Sequence, residues 1–304
     1  MVDFAIVGQP KSGTTALAEF LAQHPQICIS VPKEPAFFAT DLMAESDRFH
    51  GSRKYFEFRT DEDYAAVFKH CRGGQLRGDA STAYLHSKAA ASNLHAANPN
   101  ARIIAMLREP VSFVHSLHTQ YLNDTTENET DFARALEKEP LRKAGQAVPT
   151  RARCPSYLFY RDRARYAGQL ERYYTVFPRE HILALTMEEF REDNDGHYRR
   201  VLEFLGAHPH GLPSFAVVHP SQAPGSRRLN RLLNEPRLKG MLFKALGPRR
   251  YDSVRKAVAG VVLKQRPREQ LAPLLEETLR AEFRVEVARI SELVGRDFAA
   301  VWGY

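Results

Sequence analysis

The chain has 304 residues, of which 43% are hydrophobic and 26% are charged, and its formal net charge is +7. This balance excludes an intrinsically disordered chain and is typical of a soluble globular protein with a sizeable core. No apolar run approaches the ~18 residues that span a bilayer, and no basic-then-apolar signal segment precedes the first strand. We therefore expect a cytoplasmic protein without stable membrane insertion.

Short apolar runs alternate with helix-forming segments along most of the chain. In order, the predicted elements are strand Asp3–Val7, helix Thr14–Gln23, strands Gln26–Ser30 and Leu76–Ala80, helix Lys88–Ala97, strand Arg102–Leu107, helices Val111–Asn123 and Tyr157–Phe177, strand His181–Leu185 and helix Tyr198–Leu205. This alternation predicts an α/β fold, with a P-loop-like central parallel sheet and helices on both faces.

The remainder of the chain is predicted to be mainly helical. His208–Gly225 is rich in Pro, Gly and Ser and predicts a loop, and helical periodicity follows in Arg227–Leu233, Tyr251–Leu263 and Pro267–Val294. No linker separates two units, so we expect a single domain over residues 1–304, with an inserted substrate-facing region at about 36–75.

Three cysteines, Cys28, Cys71 and Cys154, are scattered along the chain. No CxxC motif and no His/Cys cluster indicates zinc, so the sequence predicts no metal site. An odd, sparse count fits a reducing cytosol, and we expect these thiols to act as small apolar filler.

The first predicted strand leads into the turn Gly8-Gln9-Pro10-Lys11-Ser12-Gly13-Thr14-Thr15, which opens a helix. Backbone N–H groups at a helix start lack intrahelical partners, so such a turn suits a phosphate or sulfate group. A Walker loop carries lysine directly after its second glycine, but here Thr14 follows Gly13 and the lysine is Lys11. The turn therefore predicts a phosphate-like ligand held differently from ATP. The alternative is an ordinary strand-to-helix turn with a solvated lysine.

A second strand end carries an arginine. Arg108 follows Arg102–Leu107, Pro110 suits a first helical turn, and Ser116 lies about two turns inside that helix. Ligands bind at the carboxyl ends of parallel strands, and arginine and serine both donate to phosphate. The alternative is an arginine that pairs with Glu109 or caps the next helix.

These motifs resemble those of a known family. Pro10-Lys11-Ser12-Gly13-Thr14-Thr15 resembles the 5′-phosphosulfate loop of sulfotransferases that use 3′-phosphoadenosine-5′-phosphosulfate (PAPS), and the span from Arg108 to Ser116 resembles their 3′-phosphate motif. Lys33-Glu34-Pro35-Ala36-Phe37-Phe38 resembles the K-E-P-x-F-F segment of the bacterial and heparan-modifying branches. Leu158–Leu170 and the tail Leu293–Trp302 extend the likeness over almost the whole chain.

The resemblance implies transfer of a sulfuryl group from PAPS to a hydroxyl of a small molecule, lipid or sugar, leaving 3′,5′-ADP (PAP) and requiring no metal. The implied nucleotide site comprises Lys11, Ser12, Gly13, Thr14, Thr15, Arg108 and Ser116. Lys11 is also the predicted catalytic cation, because its ammonium group can stabilise charge on the sulfuryl oxygens and on the leaving phosphate.

Glu34 is the predicted general base, because the resemblance assigns that role to its K-E-P-x-F-F glutamate. We expect Pro35 and the two phenylalanines to desolvate this carboxylate partly, which would raise its pKa. The alternative is a plain surface pair with Lys33. A histidine base is the rival, and His86, His115 and His118 are its candidates.

Gly78–Tyr84 resembles the substrate-side segment of the family. Asp79 and Ser81 are the predicted acceptor contacts here, with Thr82 beside them and with His86 and His118 elsewhere. Ser81 and Thr82 have an equal alternative as caps of the next helix. Ala80 stands where glycan-modifying relatives commonly carry lysine, which weakens the case for a heparan-like acceptor.

A further loop supplies two candidate nucleotide-binding arginines. Gly225-Ser226-Arg227-Arg228 is predicted to bring Arg227 and Arg228 over the 3′-phosphate. The equal alternative is that Ser226 caps a helix and both arginines are solvated.

Two other classes of function remain as alternatives. The residue after Gly13 argues against a P-loop kinase or NTPase. A non-catalytic nucleotide- or RNA-binding protein has only the basic balance in its favour, so we expect no nucleic-acid partner. The sequence leaves the acceptor and the oligomeric state open.

Overall fold

A computed structural model describes residues 2–209, 223–224, 263–264 and 271–304. Its central sheet contains β1 (Phe4–Gly8), β2 (Ile27–Ile29), β3 (Leu76–Asp79), β4 (Arg102–Leu107) and β5 (Ile182–Thr186). Their spatial order is β2-β3-β1-β4-β5, and every neighbouring pair is parallel. The predicted α/β fold with a central parallel sheet is confirmed.

In the described part of the chain, helices lie between and after the strands. They are α1 (Thr14–Leu21), α2 (Thr40–His50), α3 (Asp61–Ala66), α4 (Ala90–Ala97), α5 (Pro110–Asn123), α6 (Phe132–Glu137), α7 (Glu139–Lys143), α8 (Tyr160–Arg163), α9 (Tyr166–Val176), α10 (Met187–Glu192), α11 (Asn194–Leu205), α12 (Pro273–Val294) and α13 (Phe298–Trp302). Two-residue strands β6 (Ala223–Pro224) and β7 (Leu263–Lys264) pair antiparallel.

Both faces of the sheet are covered, because successive strand residues point to opposite sides. In β4, Ile103, Ala105 and Leu107 join a core that includes residues of α2, α4, α5, α9 and α12. Ile104 and Met106 join a second core with α1, α10 and α11. The apolar run of β4 therefore reflects burial on both sides, as expected for a central parallel strand.

The chain leaves β1 and β4 in opposite directions across the sheet. After β1 it crosses to the β2 edge, whereas after β4 it continues to β5 at the other edge. Such a switch point opens a crevice at the carboxyl ends of the two adjacent strands, where open α/β sheets bind ligands. The turn after β1 and Arg108 after β4 both begin there.

The helix predicted at Tyr157–Phe177 is wrong as one element. A 3-10 turn at Pro155–Leu158, α8 and α9 replace it. The second break follows Arg163, whose carbonyl accepts hydrogen bonds from the side-chain amides of Gln9 and Gln169, at 3.3 Å and 3.1 Å. Side chains thus satisfy a backbone group that an unbroken helix would have paired internally.

Three helices were predicted in the C-terminal part of the chain, at Arg227–Leu233, Tyr251–Leu263 and Pro267–Val294. The last long helix begins at Pro273 rather than Pro267, with proline in its first turn. The helices predicted at Arg227–Leu233 and Tyr251–Leu263 lie outside the described residues, except that Leu263 is in β7.

Candidate active site

The turn between β1 and α1 forms the floor of the crevice. The Gln9 N–H donates to the Met106 carbonyl at 2.6 Å, and the Gln9 side-chain amide donates to Gln169 at 2.5 Å, so the turn is fixed to β4 and α9. Gly13 precedes α1, and no side chain among the described residues caps this helix start. Its first N–H groups are therefore available to an anion.

Two glycines give this turn its shape. Gly13 has φ +86°, and a Cβ there would lie 3.3 Å from Met106 Cε. A Cβ on Gly8 would lie 3.0 Å from Leu85 Cβ and 3.1 Å from the Thr82 carbonyl. Gly13 is needed for its left-handed backbone conformation. Gly8 is needed because the segment after β3 approaches it closely.

The side chains of the turn divide between its interior and its surface. Ser12 is fully buried and donates to the Pro10 carbonyl at 3.4 Å, while Thr14 is buried at the helix start. Lys11 is exposed and has φ +62°. Non-glycine residues rarely adopt this conformation, and they do so preferentially at functional sites.

Arg108 joins the turn from the end of β4. Its Nη1 donates to the Lys11 carbonyl at 3.0 Å, and its Nε and Nη2 donate to Ser112 Oγ at 3.2 Å and 2.9 Å. Glu109 caps α5 through the N–H groups of Val111 and Ser112. The alternatives in which Arg108 pairs with Glu109 or caps α5 are therefore wrong.

Residues far along the chain hold the start of α5 in place. Tyr166 donates its hydroxyl to the Arg108 carbonyl at 3.0 Å. Tyr304, the last residue, donates to Glu109 Oε1 at 2.7 Å. The tail therefore contacts the arginine-bearing segment, a role that its amphipathic pattern did not indicate. Ser116 lies buried on α5, and its contact with a nucleotide stays a prediction.

Glu34 lies next to this turn, on the segment that leaves β2. Lys33 Nζ donates to Glu34 Oε1 at 2.9 Å and to Thr15 Oγ1 at 3.2 Å. Thr82 Oγ1 donates to Glu34 Oε2 at 3.2 Å. The two carboxylate oxygens are thus oriented by different partners, and Lys33 links the carboxylate to the anion turn. The sequence alone indicated Lys33 only as a surface partner of Glu34.

The buried Asp79 carboxylate supports the backbone of the Glu34 segment through Ser81. Ser81 Oγ accepts from the Ala36 N–H at 2.9 Å and donates to Asp79 Oδ1 at 2.7 Å. Tyr84 and Tyr64 donate to Asp79 Oδ2 at 2.6 Å and 3.0 Å. Burial raises the pKa of Asp79 to about 6, although these hydroxyl donors act in the opposite direction.

Asp79 and Ser81 therefore lie beneath the crevice, with no exposed surface. Their contacts support a role in positioning, and direct acceptor binding stays a prediction. The helix-capping alternative is wrong for Ser81 and Thr82, because Ser87 Oγ accepts from the N–H groups of Ala89 and Ala90 before α4.

The Glu34 side chain is 43% exposed, so its desolvation is partial. Phe37 and Phe38 point instead toward Tyr64, with ring centroids at 4.5 Å and 5.1 Å. The aromatic pair anchors the segment and leaves the carboxylate accessible. Glu34 also has φ +63°, like Lys11.

The candidate histidines are engaged in packing contacts. His86 Nε2 is 3.2 Å from Ser156 Oγ, and burial with the charge of Arg163 holds the pKa of His86 well below its usual range. His118 Nε2 is 2.8 Å from the Glu129 carbonyl, and burial lowers its pKa. Their predicted acceptor contacts are therefore not supported by these positions and stay predictions.

His115 packs against Phe132, with ring centroids 5.3 Å apart. The structure therefore gives each candidate histidine other neighbours, whereas Glu34 is linked to the anion turn through Lys33.

Arg153 is a candidate site residue that the sequence reasoning missed. It is exposed and lies over the Tyr55 ring, with 5.5 Å between its Cζ and the ring centroid. Its side chain reaches solvent, but desolvation by the surrounding protein atoms lowers its pKa. The charges of Tyr157, Asp124 and Glu34 raise that pKa, and the net change is a rise. A cation therefore lies within electrostatic range of the Glu34 carboxylate. No short motif surrounds Arg153, so tertiary structure alone reveals it.

The prediction that all cysteines are apolar filler is wrong for two of them. Cys28 and Cys71 form a disulfide across a sequence separation of 43, with Cα atoms 5.7 Å apart. Cys154 is a buried free thiol, as predicted. The long separation explains why no local motif indicated the pair.

Arg227 and Arg228 lie outside the described residues. Within the described ranges, no helix combines the length and the apolar character that crossing a bilayer demands.

Comparison with known proteins identifies the family of this chain. The sequence model of the Sulfotransferase family matches residues 3–208, more than half of the chain. The protein belongs to the sulfotransferase family. A crystal structure of a sulfotransferase from Alicyclobacillus acidocaldarius superposes with a TM-score of 0.69 at 26% identity, covering 100% of this chain and 99% of that one.

Similar human proteins modify heparan sulfate, according to their names. Heparan sulfate glucosamine 3-O-sulfotransferase 6 is 28% identical over 203 residues, which cover 66% of this chain and 51% of the relative. Bifunctional heparan sulfate N-deacetylase/N-sulfotransferase 3 is 25% identical over 221 residues, covering 72% and 24%. The match thus spans about half and about a quarter of these relatives.

Proposed function

We propose that this sulfotransferase moves the sulfuryl group of PAPS to a hydroxyl group of its acceptor, releasing PAP. The observation that carries the proposal is the Lys33 bridge, which joins Glu34 to Thr15 through contacts of 2.9 Å and 3.2 Å. A carboxylate suited to accept a proton therefore lies beside a turn suited to bind an anion.

The nucleotide half of the site fits a sulfonated nucleotide with two phosphate positions. The uncapped start of α1 and the Lys11 ammonium group suit the 5′-phosphosulfate. Arg108 lies buried beside the same turn and presents a guanidinium group to the crevice, and we assign it with Ser116 to the 3′-phosphate.

The bonds, the proton and the charge of the proposed transfer step balance. The acceptor oxygen attacks sulfur, and its proton passes to Glu34. The bond between sulfur and the bridging oxygen breaks, and its electron pair goes to the departing 5′-phosphate of PAP. Lys11 stabilises the charge that grows on this phosphate and on the sulfuryl oxygens, and such preorganised donors often supply the largest catalytic effect.

We assign Glu34 and Thr82 to the acceptor half of the site. Glu34 and Thr82 are in contact at 3.2 Å, so one hydroxyl donor orients the proposed base. The acceptor class stays a small molecule, a lipid or a sugar. Ala80 stands where glycan-modifying relatives commonly carry lysine, so it argues against a heparan-like acceptor. The names of the human relatives nevertheless refer to heparan sulfate.

Isothermal titration of the purified protein with PAP tests the nucleotide half. We expect binding without magnesium, weakened about tenfold or more by Arg108→Ala and unchanged by Arg48→Ala, which removes an exposed arginine of α2. Incubation with labelled PAPS and a panel of alcohols, read by mass, then identifies the acceptor. If wild-type protein binds neither PAP nor PAPS, the proposal fails.

Three other expectations stay predictions: a single domain over 1–304, the absence of a nucleic-acid partner, and a cytoplasmic location. The Cys28–Cys71 disulfide weighs against the last, because disulfides persist mainly in oxidising compartments.

A further inference from the structure

The Cys28–Cys71 pair has a histidine beside it. Cys28 lies in the middle of β2, at one edge of the sheet, and Cys71 lies beyond α3. His70 Nε2 is 3.3 Å from Cys28 Sγ. The two sulfur atoms and one imidazole nitrogen all lie within 4.8 Å of one another, the one such group of metal-ligating side chains found in the described part of the chain.

These three side chains differ in their exposure to solvent. Cys28 is buried, Cys71 is half-buried and His70 is exposed. An ion or a small reductant can therefore reach the sulfur atoms from the His70 side. Cys154 is buried elsewhere and contributes no ligand.

We propose that reduction of the disulfide turns Cys28, His70 and Cys71 into a site for one Zn²⁺ ion. Two thiolates and an imidazole are zinc ligands, and a water molecule would complete a tetrahedral set. The same two sulfur atoms cannot form the disulfide and bind the ion together, so the two states exclude each other.

The exchange balances with a thiol reductant as the electron donor. A dithiol transfers two electrons and two protons to the disulfide, giving two cysteine thiols and the oxidised reductant. Zn²⁺ then binds the two thiolates, and two protons are released. No further oxidant or reductant is required.

The backbone geometry suits both states. In a tetrahedral site, two sulfur atoms bound at about 2.3 Å lie about 3.8 Å apart, farther than in a disulfide. The Cα atoms of Cys28 and Cys71 are 5.7 Å apart, and rotation of each thiol about its Cα–Cβ bond can supply the change. His70 Nε2 lies 3.1 Å from the Ile29 carbonyl, so it must give up that contact to bind the ion.

The site has a structural link to the Glu34 segment. Three residues after Cys28, the Val31 N–H donates to the Val67 carbonyl at 2.9 Å, so the residues that follow β2 and α3 are already joined by a hydrogen bond. Either cross-link would reinforce this pairing at the base of the segment that carries Glu34. Zinc would thus preserve under reducing conditions a connection that the disulfide supplies under oxidising ones.

Zinc titration of the full-length protein in two redox states tests the proposal. The disulfide is reduced with a phosphine, the reductant is removed without oxygen, and thiols are counted before ZnCl₂ is added against a chromogenic chelator. We expect the reduced chain to take one Zn²⁺ from the chelator and the oxidised chain to take none. Cobalt should give a thiolate-to-metal charge-transfer band in the reduced protein.

His70→Gln is the decisive variant, because it keeps the disulfide and removes one ligand. We expect it to weaken zinc binding about tenfold or more, and Cys71→Ser to abolish the cobalt band. Cys154→Ala and His95→Gln remove a thiol and an imidazole outside the group and should bind as wild type does.

Three results would overturn the proposal: a disulfide that stays closed while the protein is folded, a reduced protein without stoichiometric zinc, or a His70→Gln variant that binds as tightly as wild type.

Discussion

The two halves of the site are built in different ways. The anion turn is made of consecutive residues, and its key contacts come from the backbone at the centre of the sheet, such as the Gln9 N–H to the Met106 carbonyl at 2.6 Å. The Glu34 segment leaves the edge strand β2 and is held by side chains, with Thr82 on the carboxylate and Ser81 on the Ala36 N–H. In the proposed function, local contacts therefore build the nucleotide half of the site, and long-range contacts position the proposed base.

Lys33 is the direct connection between the two halves that the structure reveals. Its ammonium group contacts Thr15 on one side and Glu34 on the other. If the two halves have these separate roles, substitutions in the turn should affect charge stabilisation and substitutions around Glu34 should affect proton transfer. Substitution of Lys33 should affect the coupling between the two halves.

The largest effect is expected from Lys11→Ala. Removal of a preorganised donor aimed at developing charge should lower kcat by about 10³-fold or more, with a smaller effect on PAP binding. Steady-state kinetics and PAP titration measure the two quantities. Lys69→Ala, which removes an exposed lysine after α3, is the matched control. A near-normal kcat in Lys11→Ala would contradict the assigned role.

The next effect is expected from Glu34→Gln. The amide keeps the shape of the side chain and can still accept from Thr82, but it cannot take the acceptor proton. We expect kcat to fall about 10²-fold or more with PAP affinity unchanged. His86→Gln and His118→Gln should each lose less. A histidine variant that loses more than Glu34→Gln would transfer the base role to that residue.

Asp79 gives a stability test of the buried support. Its folded pKa of about 6 lies above its ordinary 3.8, so its contribution to stability is full below pH 4 and is lost as pH rises through 6. Between pH 4 and 7, wild type should lose up to about 3 kcal/mol of unfolding free energy relative to Asp79→Asn. Denaturant unfolding across this range measures the difference, and a constant difference would contradict the raised pKa.

The smallest effect is expected from Lys33→Gln. Thr82 still orients Glu34 in this variant, so kcat should fall only about tenfold, with PAP affinity little changed. In the double variant with Glu34→Gln, the two losses should not add, because both act through one carboxylate. Additive losses would show that Lys33 acts elsewhere, and the two halves would then be independent.

The fold was largely predictable because four of the five strands of the sheet, β1, β2, β4 and β5, are short and mainly apolar. Arg102–Leu107 was predicted with the bounds that β4 has in the structure. The helix expected at Tyr157–Phe177 failed because its break is satisfied by Gln9, about 150 residues earlier, and no local pattern records that contact.

The same contrast holds in the site. Lys11, Thr15 and Arg108 follow strand ends, and the sheet brings them together by its topology. The Cys28–Cys71 disulfide, the support of Ala36 by Ser81 and the position of Arg153 each depend on pairs that are distant in sequence. Such pairs have no spacing rule, so sequence reasoning missed or misassigned them.

The most direct measurement is a crystal structure of the protein with PAP and an acceptor. The account predicts the 5′-phosphate on the N–H groups at the start of α1 with Lys11 Nζ in contact, and the acceptor hydroxyl within hydrogen-bond distance of Glu34. A nucleotide bound away from this turn, or an acceptor hydroxyl that faces a different base, would contradict it.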